Sequence, residues 1–480
     1  MQNSDKRARA NRGNQAARQI KVRNESAGGV SRTDGVFRFF KKYELVWFLI
    51  VVSVLALLFR IKSFKFVTND YTAFLQRWMQ VLKDGGGFKA LKNLHDGSTY
   101  CDYTPAYLYV LSLLSYLPGN DLYKIKTVSV AFDFVLAVFA FLIVKEIKKS
   151  DTSAVFAYTA ALFLPAVFLN GAVWAQCDVI YSAFVFGSFY FLLKGKSVPC
   201  GVLYAVAFSF KLQAIFFLPV FVLAVAKGKV KLTSVLFAAL SWIVIGLPGI
   251  FLGMKVENVY GVYFLQASEY SSLTLNTPNL YNWVVRSHDH SNNAFWEAFS
   301  SSWVYGAIGL TALCMLPLYR FRWKKDENNV WVCMAAFFAA FLPYVLPHMH
   351  ERYWFLSDVF ALIFVISFPK KWGAFTCVTL PSLYVLCKYL FSVNEISLSL
   401  LAILLFIGIA LLAVSLYEEV KGSLVCPAEG EQVFSFLDGK KQAAVLENTP
   451  TSPEIGNKTE EDAADLPGDK NPSDKGGEDL

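Results

Sequence analysis

The sequence predicts an all-α, polytopic integral membrane protein, and three observations carry that prediction. Apolar residues make up 55% of the chain, while charged residues are only 17% and gather into short clusters. Stretches such as 46–58 and 398–416 have no polar face and approach the length that crosses a bilayer core. The runs are continuous and do not alternate, which excludes a membrane β-barrel.

Taken in order, residues 1–42 are polar, rich in Arg and Lys and without apolar periodicity. They read as a disordered basic cytoplasmic tail, a topogenic signal and membrane-surface tether with no role in nucleic-acid binding. The first apolar segment follows a polar stretch too long for a signal-peptide n-region, and no small-x-small cleavage site follows it, so it reads as an uncleaved anchor. About twelve candidate spans follow the bilayer-length criterion, at 45–60, 124–145, 153–169, 178–194, 198–211, 213–226, 232–252, 303–319, 330–346, 353–368, 372–390 and 396–417. With an inside N-terminus, the basic clusters at 145–149, 194–196, 227–231, 320–325 and 370–371 all fall inside. This count keeps the short apolar stretch 105–117 on the outer face. The pair of segments around Lys211 is short, so those helices are either tilted or a re-entrant hairpin. Residues 421–480 turn acidic and rich in Pro and Gly, and read as a second disordered cytoplasmic tail. The membrane domain is therefore 43–420, with both termini cytoplasmic.

The unusual polar residues concentrate in four outer pieces: the long first loop at 61–123, the turn at 170–177, the loop at 253–302 and the turn at 347–352. In the first loop, Asp70 is the first carboxylate beyond the opening span, placed to accept a proton from a hydroxyl. Asn69 and Asp70 are also good helix N-caps, which is the alternative use. Further on, Tyr100-Cys101-Asp102-Tyr103-Thr104-Pro105 offers a second Asp-Tyr pair. Carboxylates that take hydroxyls and aromatic faces that stack on a ring suit a sugar, so Asp102 and Tyr103 are substrate candidates. Pro105 suits the first turn of a helix, with Asp102 or Thr104 as its cap.

The turn Asn170-Gly171-Ala172-Val173-Trp174-Ala175-Gln176-Cys177-Asp178 adds Trp174, Gln176 and Asp178 as candidate ligand contacts. Interfacial Trp and a helix-capping Asp are the competing explanations. Lys211 and Gln213 interrupt an apolar stretch, where a lysine either snorkels or meets an anion such as a lipid-linked phosphate. Asp133, inside the second span, calls for a buried polar partner. In Pro347-His348-Met349-His350-Glu351-Arg352-Tyr353, the His-x-His-Glu spacing is not that of HExxH. Metal ligation there needs further ligands from Asp70, Asp102, His288 or His290. Phosphate binding by Arg352 and an imidazolium needs none, so no metal or other cofactor is expected. The eight cysteines form no CxxC pair, and Cys101 and Cys177 both fall in outer pieces, their pairing left open.

With these residues in view, the chain resembles the GT-C glycosyltransferases, multi-span enzymes that use polyprenyl-phosphate sugars. It is most similar to bacterial membrane proteins related to the eukaryotic GPI mannosyltransferases. The resemblance runs from about residue 61 to 353, on Asn69-Asp70-Tyr71, Asp102-Tyr103-Thr104-Pro105, the 170–178 turn, Phe210-Lys211-Leu212-Gln213 and His348-Met349-His350-Glu351-Arg352-Tyr353. The dolichyl-phosphate-glucose glucosyltransferases of N-glycan assembly carry a similar His-x-His-Glu segment, so the donor is a hexose, mannose before glucose. The resemblance implies an inverting enzyme at the outer membrane face with Asp70 as catalytic base. It implies a polyprenyl-phosphate sugar as donor and a glycan, glycolipid or protein as acceptor. Asp102, Tyr103, Trp174, Gln176, Asp178, Lys211, Gln213, His348, His350, Glu351 and Arg352 are then substrate-binding residues. GPI enzymes carry Asp-x-Asp in this loop. Here Thr68 stands in the first position, which favours a metal-independent reaction. The alternative is a transporter or flippase of a lipid-linked sugar, although no internal repeat is visible.

Overall fold

The computed structural model describes residues 41–95, 100–268, 272–283, 294–321 and 328–422. The chain divides into two units, Met1–Ala428 and Glu429–Leu480, and every described residue belongs to the first. Nearly all of the basic tail, the acidic tail beyond 422, and His288 and His290 of the third outer piece lie outside the described residues.

Every one of the twelve segments expected from the sequence is helical. Among the described residues, seven helices are long and apolar enough to cross a membrane, and eight if one bent pair is a single span. The first is α1 (Glu44–Ser63), followed by a short surface helix α2 (Gln76–Asp84), α3 (Pro105–Ser115) and the 28-residue α4 (Asp121–Lys148). The bent pair is α5 (Asp151–Phe163) and a stretch beginning with α6 (Pro165–Phe168), turned by 47°. Pro165 causes the bend. Residues before a proline are pushed out of the helical region, and Leu164 is extended at φ −62, ψ 123.

Beyond it come α7 (Asp178–Leu193), α8 (Ser197–Phe210), a 3-10 turn leading into α9 (Leu218–Ala226), and α10 (Thr233–Phe251). After the short α11 (Val256–Tyr260) and α12 (Val262–Ser268) run α13 (Ala294–Arg320), α14 (Asn328–Val345), α15 (Phe355–Ser367), α16 (Trp372–Phe391) and α17 (Leu398–Gly422). The stretches α7, α8, Leu212–Ala226 and α15 are the four shorter ones. Helix α7 is buried almost all round, and a helix apolar on every side is either in a protein core or in lipid. Sequence alone does not separate the two. By contrast α1 leaves Phe48, Val51, Leu58 and Phe59 exposed, as a lipid-facing helix would.

Close approach of α8 and α10 depends on a small residue. A Cβ added at Gly201 would lie 2.0 Å from the Ser234 carbonyl oxygen. Within the core, Asp133 finds its partner in Arg60, whose Nε lies 2.7 Å from its carboxylate, both being fully buried. Arg60 also donates to the Leu162 carbonyl at 2.7 Å, tying α1, α4 and α5 together.

The basic clusters converge on one end of the bundle. Lys194 pairs with Glu146 at 3.1 Å, Lys371 pairs with Glu418 at 2.8 Å, and Lys148 donates to the Ser367 carbonyl. The polar residues singled out in the loops meet at the other end. A single parallel bridge helps to join them: β1 (Thr274–Leu275) pairs with β2 (Met349–His350), Leu275 opposite His350.

Candidate active site

Asp70 sits at the junction of four separate pieces of chain. It starts the π-turn Tyr71–Leu75, but its side chain caps nothing. That task belongs to Thr68, whose hydroxyl accepts from the Tyr71 amide at 3.4 Å and donates to the Trp174 carbonyl at 3.1 Å. The helix-cap reading of Asp70 is thereby corrected, and Thr68, in place of a first acid, has a structural role.

The Asp70 carboxylate instead collects four side-chain donors. Its Oδ2 accepts from Trp174 Nε1 at 3.0 Å, Gln176 Nε2 at 2.9 Å and Arg352 Nη1 at 3.1 Å. Its Oδ1 accepts from the Tyr389 hydroxyl. The rings of Trp174 and Tyr389 stack at 4.4 Å, so two of the donors brace each other.

The local backbone explains how Trp174 and Gln176 reach one carboxylate. The chain from Leu169 to Trp174 forms a wide π-turn that ends on Ala175 in the left-handed region at φ 69. The Gln176 amide then bonds back to the Asn170 carbonyl at 2.9 Å. Gly171 lets this turn lie against α4, because a Cβ there would stand 3.2 Å from Ser129 Cβ. Gln176 is fixed from both sides: Ser129 donates to its carbonyl at 2.8 Å and the Tyr103 hydroxyl to its Oε1 at 3.2 Å.

Asp70 opens onto a cleft of about 390 Å³. One wall is aromatic, formed by Phe74, Trp78, Tyr100 and Tyr103, with Trp78 and Tyr103 rings 5.0 Å apart. The opposite wall brings Thr274 to Asn276 beside His350, Glu351 and Arg352 through the β1–β2 bridge. Asp102 and Gln176 also line it. Seven of the twelve residues proposed from the sequence therefore share one cavity: Asp70, Asp102, Tyr103, Gln176, His350, Glu351 and Arg352. Trp174 joins them through its bond to Asp70.

The other four stand behind the wall. Asp178 is fully buried, held by Lys211 Nζ at 2.5 Å and Asn170 Nδ2 at 2.8 Å. It does not cap α7 through its side chain, since the cap position is Cys177. Lys211 is buried with Asp178 and also lies 5.9 Å from the Tyr353 ring centre. Gln213 is buried with its Oε1 unpartnered among the described residues. His348 adopts the left-handed region at φ 63, and its Nδ1 lies 2.9 Å from the Ser272 carbonyl. At the other predicted cap, Thr104 donates to the Phe210 carbonyl at 2.8 Å in place of closing α3 with its side chain.

Electrostatically, burial holds both imidazoles below the usual histidine range, with Arg352 and Lys211 adding to the effect at His350. Both are therefore neutral at pH 7. The charge available to an anion is therefore the Arg352 guanidinium, whose Nε is buried without a partner among the described residues. No three His, Cys, Asp or Glu side chains converge among the described residues. Cys101 and Cys177 are separate thiols, and burial pushes Cys177 up to about 11.

The sequence reading missed Tyr389 and, in the aromatic wall, Phe74, Trp78 and Tyr100. Tyr389 lies at the end of a span, where an aromatic residue is ordinary interfacial chemistry, so only its contact to Asp70 distinguishes it.

Comparison with known proteins adds an independent line. No curated protein matches the chain. The model of glycosyltransferase family 87 matches residues 100–347, taking in Asp102, Tyr103, Trp174, Gln176 and Lys211 but neither Asp70 nor Arg352. Helices able to span a membrane agree with that match. Since it covers just over half of the chain, this protein belongs to glycosyltransferase family 87 and is a membrane glycosyltransferase.

Proposed function

We propose that the protein is an inverting hexosyltransferase that moves mannose from a polyprenyl-phosphate carrier to an acceptor hydroxyl at the outer membrane face. The observation that carries this reading is a carboxylate at the mouth of an aromatic-walled cleft, bonded to the one guanidinium there. The acceptor hydroxyl replaces one of the donors on Asp70 and gives up its proton as its oxygen attacks the anomeric carbon. The bond between that carbon and the phosphate oxygen breaks, and the carrier leaves as polyprenyl phosphate. Arg352 is bonded to Asp70 through Nη1 and lines the cleft, so it can hold the base and meet the leaving phosphate at once. His350 contributes an uncharged donor, Glu351 and Asp102 take sugar hydroxyls, and the aromatic wall stacks on the ring. Lys211 and Asp178 support the wall from behind. The basic clusters at the opposite end of the bundle favour an inside location for that end, which supports an outer cleft.

The test is transfer of labelled sugar from purified polyprenyl-phosphate-mannose, and separately the glucose donor, to membrane extract, with and without chelator. Wild-type transfer with the mannose donor is expected, and Asp70→Asn should lower it by about 10²- to 10⁴-fold, the usual contribution of a general base. Folded protein that binds donor yet transfers neither sugar would sink the proposal.

A further inference from the structure

A second cavity, of about 720 Å³, lies beside the cleft and shares no lining residue with it. The same three segments line both. Phe66 and Val67 precede Asp70, Val173 precedes Gln176, and Phe391 follows Tyr389. Phe168 and Leu169 complete an apolar wall, and Lys62 and Lys65 stand at its rim. Among the described residues no carboxylate lines it. Among the described residues neither lysine forms an ion pair, whereas Arg60 nearby is neutralised by Asp133.

A third ammonium lies underneath. Lys126 is fully buried and gives its protons to the carbonyls of Phe64 at 3.1 Å and Phe66 at 2.6 Å, with Ser63 at 3.4 Å. It takes up the carbonyls at the end of α1 that would otherwise oppose an anion. No carboxylate among the described residues pairs with it. The result is a groove with apolar walls and a wholly cationic rim, at the end of a helix fit to cross the membrane. Val67 and Phe391 are exposed there, on the side where lipid would lie.

We infer that this groove binds an anionic bilayer phospholipid, its phosphate between Lys62 and Lys65 and one chain along Phe66, Phe168 and Phe391. The volume falls in the range of small-molecule ligand pockets, room for part of a lipid. The absence of a lining carboxylate leaves nothing to receive the ammonium of a zwitterionic headgroup. A bound chain packs against the segments that present Asp70 and Trp174, so occupancy steadies both. The inference stands whether or not the transfer reaction proposed above is correct.

The experiment is thermal unfolding of the full chain in neutral detergent, titrated with phosphatidylglycerol, phosphatidylcholine or inorganic phosphate. Phosphatidylglycerol should bind at least tenfold more tightly than phosphatidylcholine, on the order expected for two lysines at a lipid surface. Lys62→Gln with Lys65→Gln should weaken it about fivefold per lysine removed. Val67→Trp, which obstructs the groove and leaves the lysines in place, should weaken it as well. Equal binding of both lipids, an unchanged Val67→Trp protein, or the same stabilisation by inorganic phosphate would overturn the assignment. Displacement of the lipid by substoichiometric polyprenyl phosphate would overturn it in favour of the sugar carrier.

Discussion

Replacing Lys211 with methionine separates a structural lysine from a substrate-binding one. Its Nζ lies 2.5 Å from the fully buried Asp178 carboxylate, whose other oxygen has only Asn170 at 2.8 Å. Lys211→Met keeps the apolar stem and removes the charge, leaving the buried Asp178 carboxyl without its cationic partner. Breaking a buried pair from one side costs about 3–5 kcal/mol. Asp178→Asn added to Lys211→Met removes both charges and retains a partner for Asn170, so most of that loss should return. The coupling between the two sites should be about 2–3 kcal/mol, at the upper end for neighbouring groups. Denaturant unfolding in detergent measures stability for the wild type, both single variants and the double variant. Sugar transfer by the same four proteins measures function. The argument predicts an unstable single variant and a folded double variant with a donor KM close to wild type. A stable Lys211→Met protein with a much raised donor KM, not restored in the double variant, would refute it and return Lys211 to the phosphate.

Other outcomes follow from the same geometry. Tyr389→Phe keeps the stack on Trp174 but removes the hydroxyl that competes for Asp70, so acceptor KM should fall about two- to tenfold, the worth of one ordinary hydrogen bond. An acceptor KM that rises would show that Tyr389 contacts substrate directly. Gly201→Ala must push α8 from α10, since its Cβ would lie 2.0 Å from the Ser234 oxygen, and overpacking of this kind costs about 1–3 kcal/mol; wild-type stability would contradict the close approach. His348 and His350 are depressed by burial, so the unfolded chain binds more protons than the folded one just below pH 6.5. Stability should be at its full value above that pH and decline as pH falls through the folded values. The decline should be shallower in His348→Gln with His350→Gln, and a slope identical to wild type would remove these residues as its source.

Much of this protein was legible in the sequence because the membrane imposes a simple demand. A chain crossing lipid must satisfy its backbone internally, so long apolar runs such as 46–58 can only be helices, and the basic clusters mark their ends. The polar residues in the loops were equally visible, because Asp70, Gln176 and Arg352 stand out against apolar surroundings. Their individual roles were not. Asp178 and Lys211 look like ligands in the sequence, yet each finds its partner in the other, 33 positions apart along the chain. A charge that is expensive to bury signals only that it needs a partner, never which one. Tyr389 shows the converse. An aromatic residue at a span end is unremarked in the sequence until folding brings it 319 positions back to Asp70. Composition and periodicity thus determined the class of fold and the end of the bundle where polar groups gather. Which carboxylate faces open space and which is neutralised was decided by helix packing, because an ion pair depends on distances of a few ångströms that no local pattern encodes.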